Sequence, residues 1–208
     1  EQNAFDPYLQ TYVRLQTYRN LGHPTDKIEV IILGGAWSFY PETYQLWFIK
    51  RIFDALHDFG KGIDSCEEVS QELKEKSQFT GQRISNVTIQ GVALNQSYNQ
   101  VVQDIYAKEM HRSRVIAQNL STGTLERSPV DEYATWEELE QAHIENETAT
   151  CRSVGLVVET RPDHISEEEV IRVRRLGCTK VQIGFQSLND TVLDMNKRGH
   201  DVEATRRA

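Results

Sequence analysis

Three runs of strand length, apolar and largely β-branched, constrain this chain most. They are Ile28–Leu33 (IEVIIL), Val154–Glu159 (VGLVVE) and Lys180–Phe185 (KVQIGF). Each is stopped by glycine or polar residues and followed by a helical pattern. Strands alternating with helices predict a parallel sheet with right-handed crossovers. Runs this apolar suit parallel strands covered on both faces. Around the first run, Tyr8–Leu21 repeats apolar residues at helical spacing and ends at Gly22 before Pro24. Pro41 opens a second helix over Pro41–Phe59, because proline suits a first turn. After the second run, Ser166 with Glu169 gives a capping-box pattern, and Gly177 closes that helix. Asn189 and Asp201 are placed to cap two further helices, Asp190–Met195 and one running into Ala208.

The predicted class is therefore α/β. A complete (βα)8 barrel needs about 250 residues. The 208 residues here supply part of a TIM-type barrel. Residues 60–150 break the rhythm, being longer than the usual connection of about 2–6 residues. Gln71–Ser77, Tyr98–Asn119 and Thr135–Thr150 read as helical within it, so the segment reads as a helical insertion into one domain over 1–208.

Composition narrows the function classes. No apolar run reaches the roughly 20 residues of a bilayer-spanning helix. The start at Glu1 is polar, without the basic and apolar regions of a signal peptide, and is not Met. The expectation is that the chain begins inside a longer protein, or that its true start lies outside this sequence. Three cysteines, Cys66, Cys151 and Cys178, are widely spaced, which argues against a disulfide framework and a CxxC knuckle and for the reducing cytoplasm. A formal net charge of −8 is not that of a nucleic-acid binder taken whole. Two basic clusters stand out locally: Lys108, His111, Arg112 and Arg114, then Arg172, Arg174 and Arg175. A solvated helix face accounts for either cluster better than a phosphate contact does.

The chemistry-bearing residues sit where the strands end, which is where ligands bind in parallel α/β sheets. Gly34-Gly35 lets a backbone approach a ligand, or simply makes a tight turn. Glu159-Thr160-Arg161-Pro162-Asp163 puts three charges at one strand end. There Glu159 can accept from hydroxyls and Arg161 can pair with a carboxylate or phosphate, unless the two charges close an internal salt bridge. Gly184-Phe185-Gln186-Ser187 offers an amide that donates and accepts. Asn196-Lys197-Arg198-Gly199-His200 gathers donors at one turn, or forms a basic helix end favoured by the helix dipole. No member alone is strong. Several polar strand ends together are what convergence on one polar ligand requires.

These blocks resemble the family of the Elongator catalytic subunit, a group of radical S-adenosylmethionine (SAM) enzymes. IEVIILGGAWSFYPETYQLWFIKRIFDAL, GLVVETRPD, LGCTKVQIGFQS and NKRGH follow that family's order, as does the opening FDPYLQTYVRLQTYRNLGHPTDKIE. The resemblance covers roughly residues 4–59 and 144–208, and the insertion matches loosely. It implies a partial barrel that binds SAM and a [4Fe–4S] cluster. It implies Gly34 and Gly35 at the SAM amino group, Glu159 at the ribose with Gln186 nearby, Ile183 on the adenine side, and Arg198 on the carboxylate. The implied reaction uses a 5′-deoxyadenosyl radical and acetyl-CoA to place a carboxymethyl-type group on C5 of the wobble uridine of tRNA. The implied partners are a tRNA anticodon loop, with Lys108, Arg112 and Arg114 as phosphate contacts, and a second copy or Elongator-like subunits.

Departures from the family pattern are specific. The CxxxCxxC loop that holds the cluster is not in this sequence, so its ligands are expected outside the chain. So is the acetyltransferase domain that handles acetyl-CoA. Gly-Gly-Ala stands for Gly-Gly-Thr, and Gly-Phe-Gln-Ser for Gly-Val-Gln-Ser. Two rival readings remain: another radical SAM enzyme of the coproporphyrinogen oxidase or methylthiotransferase kind, and a cluster-less scaffold or binding module.

Overall fold

Asp6 starts the first helix by accepting from the Leu9 amide at 2.9 Å, with Pro7 in the first turn. That helix, α1, is Pro7–Asn20, and Gly22 at φ 80° turns the chain out of it. Strand β1 (Lys27–Ile32) leads to a 3-10 turn, Trp37–Phe39, and then to α2 (Glu42–Lys61), closed by Gly62 in the left-handed region. Next come α3 (Cys66–Ile84) and α4 (Trp136–Asn146). Thr135 and Glu138 form a reciprocal capping box on α4. Strand β2 (Arg152–Thr160), the 3-10 turn Pro162–His164 and α5 (Glu167–Arg175) follow. The described chain ends with β3 (Lys180–Ile183), α6 (Asp190–Met195) and α7 (Val202–Arg207). This computed structural model describes residues 3, 5–34, 37–84 and 131–208.

The three strands form one parallel sheet in the order β1-β2-β3. Register fixes which side chains share a face. Ile31 pairs with Val157, Glu159 with Gln182, and Thr160 with Ile183. The helices cover one side. Leu156 and Val158 of β2 join Trp47, Ile49 and Phe53 of α2, Leu139 and Ala142 of α4, and Val173, Leu176 and Cys178 in one core. A second core joins Tyr8, Leu9, Tyr12 and Leu15 of α1 to Ile52, Leu56 and Phe59 of α2. The sheet described is thus a segment of parallel α/β structure, not a closed barrel.

Several expectations change at this level. β1 is not covered on both faces among the described residues: Ile28, Val30 and Ile32 are half-buried while Lys27, Glu29 and Ile31 are exposed. The cause is its place at one margin of the described sheet, with helices packed on one side. α2 runs past Phe59 to Lys61, because Gly60 stays helical where it packs against Cys151. β3 stops at Ile183 rather than Phe185. Within 60–150, α3 is longer than Gln71–Ser77, and the last part of that segment is no excursion, since Leu139 and Ala142 of α4 are core residues. The Tyr98–Asn119 helix lies outside the described residues. Among the described residues, no helix is long and apolar enough to cross a membrane.

Candidate functional site at the strand ends

Extended strands end with carbonyls and amides that have no neighbour beyond the sheet, so the following loops supply partners. Here the first two loops are tied together by Ser38 Oγ and Thr160 Oγ1, 2.8 Å apart. The Gly184 amide donates to the Thr160 carbonyl at 2.9 Å, which ties the third loop to the second. All three loops therefore open at one edge of the sheet.

Glu159, Gln186 and Arg198 meet there around Gly184. A Cβ on Gly184 would stand 3.3 Å from Gln186 Oε1 and 3.5 Å from Glu159 Oε1, so both side-chain ends lie directly over this residue. Gln186 has φ 60°, a left-handed conformation uncommon for a residue other than glycine. That conformation turns its amide toward Arg198, whose Nη2 donates to Gln186 Oε1 at 2.6 Å and to the Gly184 carbonyl at 3.4 Å. Arg198 Nε is buried and has no hydrogen-bond partner. The guanidinium is thus held by one end and retains a donor.

Around this cluster sits a second one. Arg161 donates through Nε and Nη2 to the two Asp163 oxygens, each at 2.9 Å, so its charge is engaged internally. His200 lies against Asp163, with Nδ1 4.0 Å from the carboxylate, and its Nε2 donates to the Phe185 carbonyl at 3.2 Å. Sequence reasoning missed the His200 contacts and the Ser38–Thr160 bond. The available signal was the polar residue in each strand-end block, which names candidates and not pairs.

The other candidates fall differently. Gly34 stands at φ 106° with open space where a Cβ would be. Ile183 pairs with Thr160 and is half-buried, one residue out of phase with Glu159 and Gln182, so it lies on the other side of the sheet from them. Gly35, Lys108, Arg112 and Arg114 lie outside the described residues. Of the second basic cluster, Arg172 is occupied by Glu169 and Gln45, and Arg175 by Glu140. These are internal pairs that fasten α5 to α2 and α4. A cleft of about 330 Å³ opens between α2 and α4, lined by Arg51, Asp54, His57 and Glu145 among others, away from the strand ends.

The cysteines do not form a ligand set. All three are free, and burial pushes the thiols of Cys66, Cys151 and Cys178 up to about 12, about 11 and about 12. A metal-binding thiolate needs the opposite shift. Among the described residues, no group of three or more His, Cys, Asp or Glu side chains is arranged to hold a metal ion.

No family model matches the chain. Individual proteins do. It is 32% identical over 204 residues to a tRNA uridine(34) acetyltransferase of Methanocaldococcus infernus, covering 98% of this chain and 24% of that protein. It is 30% identical to the protein of the same name from Methanocaldococcus jannaschii, with the same coverage. It is 25% identical to Elongator complex protein 3 of Schizosaccharomyces pombe, over 96% of this chain and 23% of that protein. Among solved structures, the archaeal Methanocaldococcus infernus Elp3 with an N-terminal deletion superposes with a TM-score of 0.57 at 31% identity, over 97% of this chain and 30% of that one. Strand order, strand-end chemistry and these likenesses over nearly every residue agree: the chain belongs to the family of tRNA uridine(34) acetyltransferases and Elongator complex protein 3, and spans about a quarter of their length.

Proposed function

We propose that this chain is the SAM-binding part of an enzyme that modifies the wobble uridine of tRNA. The relatives' names support the tRNA half of that reading. The observation that carries the SAM half is the strand-end cluster, in which Arg198 Nε is buried without a partner beside Gln186 and Glu159. The groups suit the cofactor. A guanidinium with a spare donor pairs with the SAM carboxylate, a charge-assisted contact. The Glu159 carboxylate accepts from the ribose hydroxyls, and the Gln186 amide serves either polarity. The open turn at Gly34 leaves room for an amino group.

A [4Fe–4S] cluster does not fit the described residues, whose cysteines are dispersed and disfavour the thiolate. Its ligands are placed outside them. In the complete enzyme, SAM held here would supply a 5′-deoxyadenosyl radical on taking one electron from the reduced cluster and releasing methionine, and acetyl-CoA would supply the carbon unit for a carboxymethyl-type group at uridine C5. The part played by Glu159, Gln186 and Arg198 is to bind and orient, since cofactor chemistry leaves the protein positioning and shielding. An anticodon loop is the partner of the right kind, because single-stranded loops present unstacked bases. Elongator-like subunits or a second copy complete the assembly in the cytoplasm.

Nucleoside analysis of tRNA from a host lacking the gene tests the reading. The expected result is loss of a C5-substituted uridine at the wobble position. The wild-type full-length protein restores it and Glu159→Gln does not. An unchanged wobble nucleoside in the deletion strain overturns the proposal.

A further inference from the structure

We propose that Asp163 and His200 are positioning residues that set the direction of the Arg198 guanidinium; the proposal rests on reading the strand-end cluster as a SAM site. Arg198 sits in a turn with left-handed residues on both sides, Lys197 at φ 50° and Gly199 at φ 76°. Where its side chain points therefore depends on what anchors that turn. One anchor is local: the Arg198 amide donates to the Leu193 carbonyl at 3.0 Å. Another lies just after the turn, where the Val202 amide donates to Asp190 Oδ1 at 2.8 Å.

The third anchor reaches the strand ends. The His200 side chain is 0% exposed, and its Nε2 donates to the Phe185 carbonyl at 3.2 Å. Phe185 lies between Gly184 and Gln186, the two residues that accept from Arg198 Nη2. His200 and Arg198 thus grip the same stretch from one turn. The other side of the imidazole faces Asp163 at 4.0 Å, and Asp163 is itself held by both donors of Arg161. Arg161 also closes over the turn, its Nη2 3.0 Å from where a Cβ on Gly199 would be. The ring bonds the Arg198 turn to the β3 end and packs beside the β2 end, with Nδ1 buried next to Asp163 and without a hydrogen-bond partner. Removing that ring takes away the bond that ties the Arg198 turn to Phe185, whose carbonyl then keeps only the Ser187 amide, and leaves a void beside it, so the turn relaxes.

A double-mutant cycle on the full-length protein, read by calorimetric SAM titration, tests this. Losing one hydrogen bond of ordinary net strength predicts that His200→Ala weakens SAM about tenfold. His200→Gln, whose amide nitrogen reaches the Nε2 position, is expected to bind close to wild type. Asp163→Asn, which keeps the side-chain shape but removes the charge that pairs with Arg161 over the turn, is expected to weaken SAM in the same direction. Because the effect runs through Arg198, His200→Ala should add little in an Arg198→Ala background, since coupled residues are non-additive. Additive losses would overturn the proposal. So would a His200→Ala protein that binds like wild type while Arg198→Ala does not. Unchanged affinity in Arg198→Ala overturns the SAM site itself, and so separates the two failures.

Discussion

Arg198 is half-buried because the strand ends offer it acceptors, the Gly184 carbonyl and the Gln186 amide, that no sheet neighbour uses. The residues that surround it were legible in the sequence to the extent that each follows an apolar run. Their partners were not. Asp163 and His200 belong to different blocks, and only the fold brings them together. Ile183 shows the same limit in another form. Its position beside Gly184 says nothing about which face it takes, and register with Thr160 decides that. Two histidines away from the site give a prediction at this scale. Burial lowers the pKa of both His57 and His143, with Glu145 pulling His57 the other way. The folded chain therefore keeps these rings neutral, while the unfolded chain takes up protons once pH falls below about 6.5. Stability is fully present above that point and is lost as pH drops through it toward the lower folded values. The thermal midpoint should fall between about pH 7.5 and about pH 5.5, and less so in a His57→Asn, His143→Asn double variant. Identical slopes for the variant and the wild type would remove the histidines as the cause.

Helix ends were the most legible elements, because a cap is local chemistry. Asn189 accepts from the Val192 amide and Asp201 from the Ala204 amide, and the helices begin where those residues said they would. Ser166 caps α5 as expected, while the Glu169 carboxylate turns to Arg172. Thr135→Ala should cost about 1 kcal/mol, the usual worth of such a cap, measured by denaturant unfolding. The end of α2 was less legible, since Gly60 looks like a stop. Its packing explains why it is not one. A Cβ at Gly60 would lie 2.8 Å from the backbone nitrogen of Cys151. Alanine gains about 1 kcal/mol of helix propensity over glycine in an exposed helix. Here the clash is with backbone, which cannot swing aside, so overpacking of about 1–3 kcal/mol outweighs the gain. Gly60→Ala is expected to lower the thermal midpoint. A raised midpoint would mean that α2 can shift away from β2 freely.

Across the whole molecule, the alternation of strands and helices was readable because period and turn chemistry are written locally. The fate of 60–150 was legible only in part: the sequence puts Trp136, Leu139, His143 and Ile144 on one side of Thr135–Thr150, but the fold decides that Leu139 and Ala142 enter the main core while Ile144 stays exposed. The three cysteines make a prediction at this scale. They are dispersed and held as thiols, so anaerobic iron reconstitution of the 208-residue chain should give no [4Fe–4S] absorption band. A full band would place the cluster ligands within this chain. The central claim is that one end of a parallel sheet, through Glu159, Gln186 and Arg198, binds SAM. Calorimetric titration of SAM into the full-length protein and its Arg198→Ala variant tests it most directly. Loss of a charge-assisted pair predicts at least about tenfold weaker binding in the variant. Equal affinity in the two proteins would contradict the account.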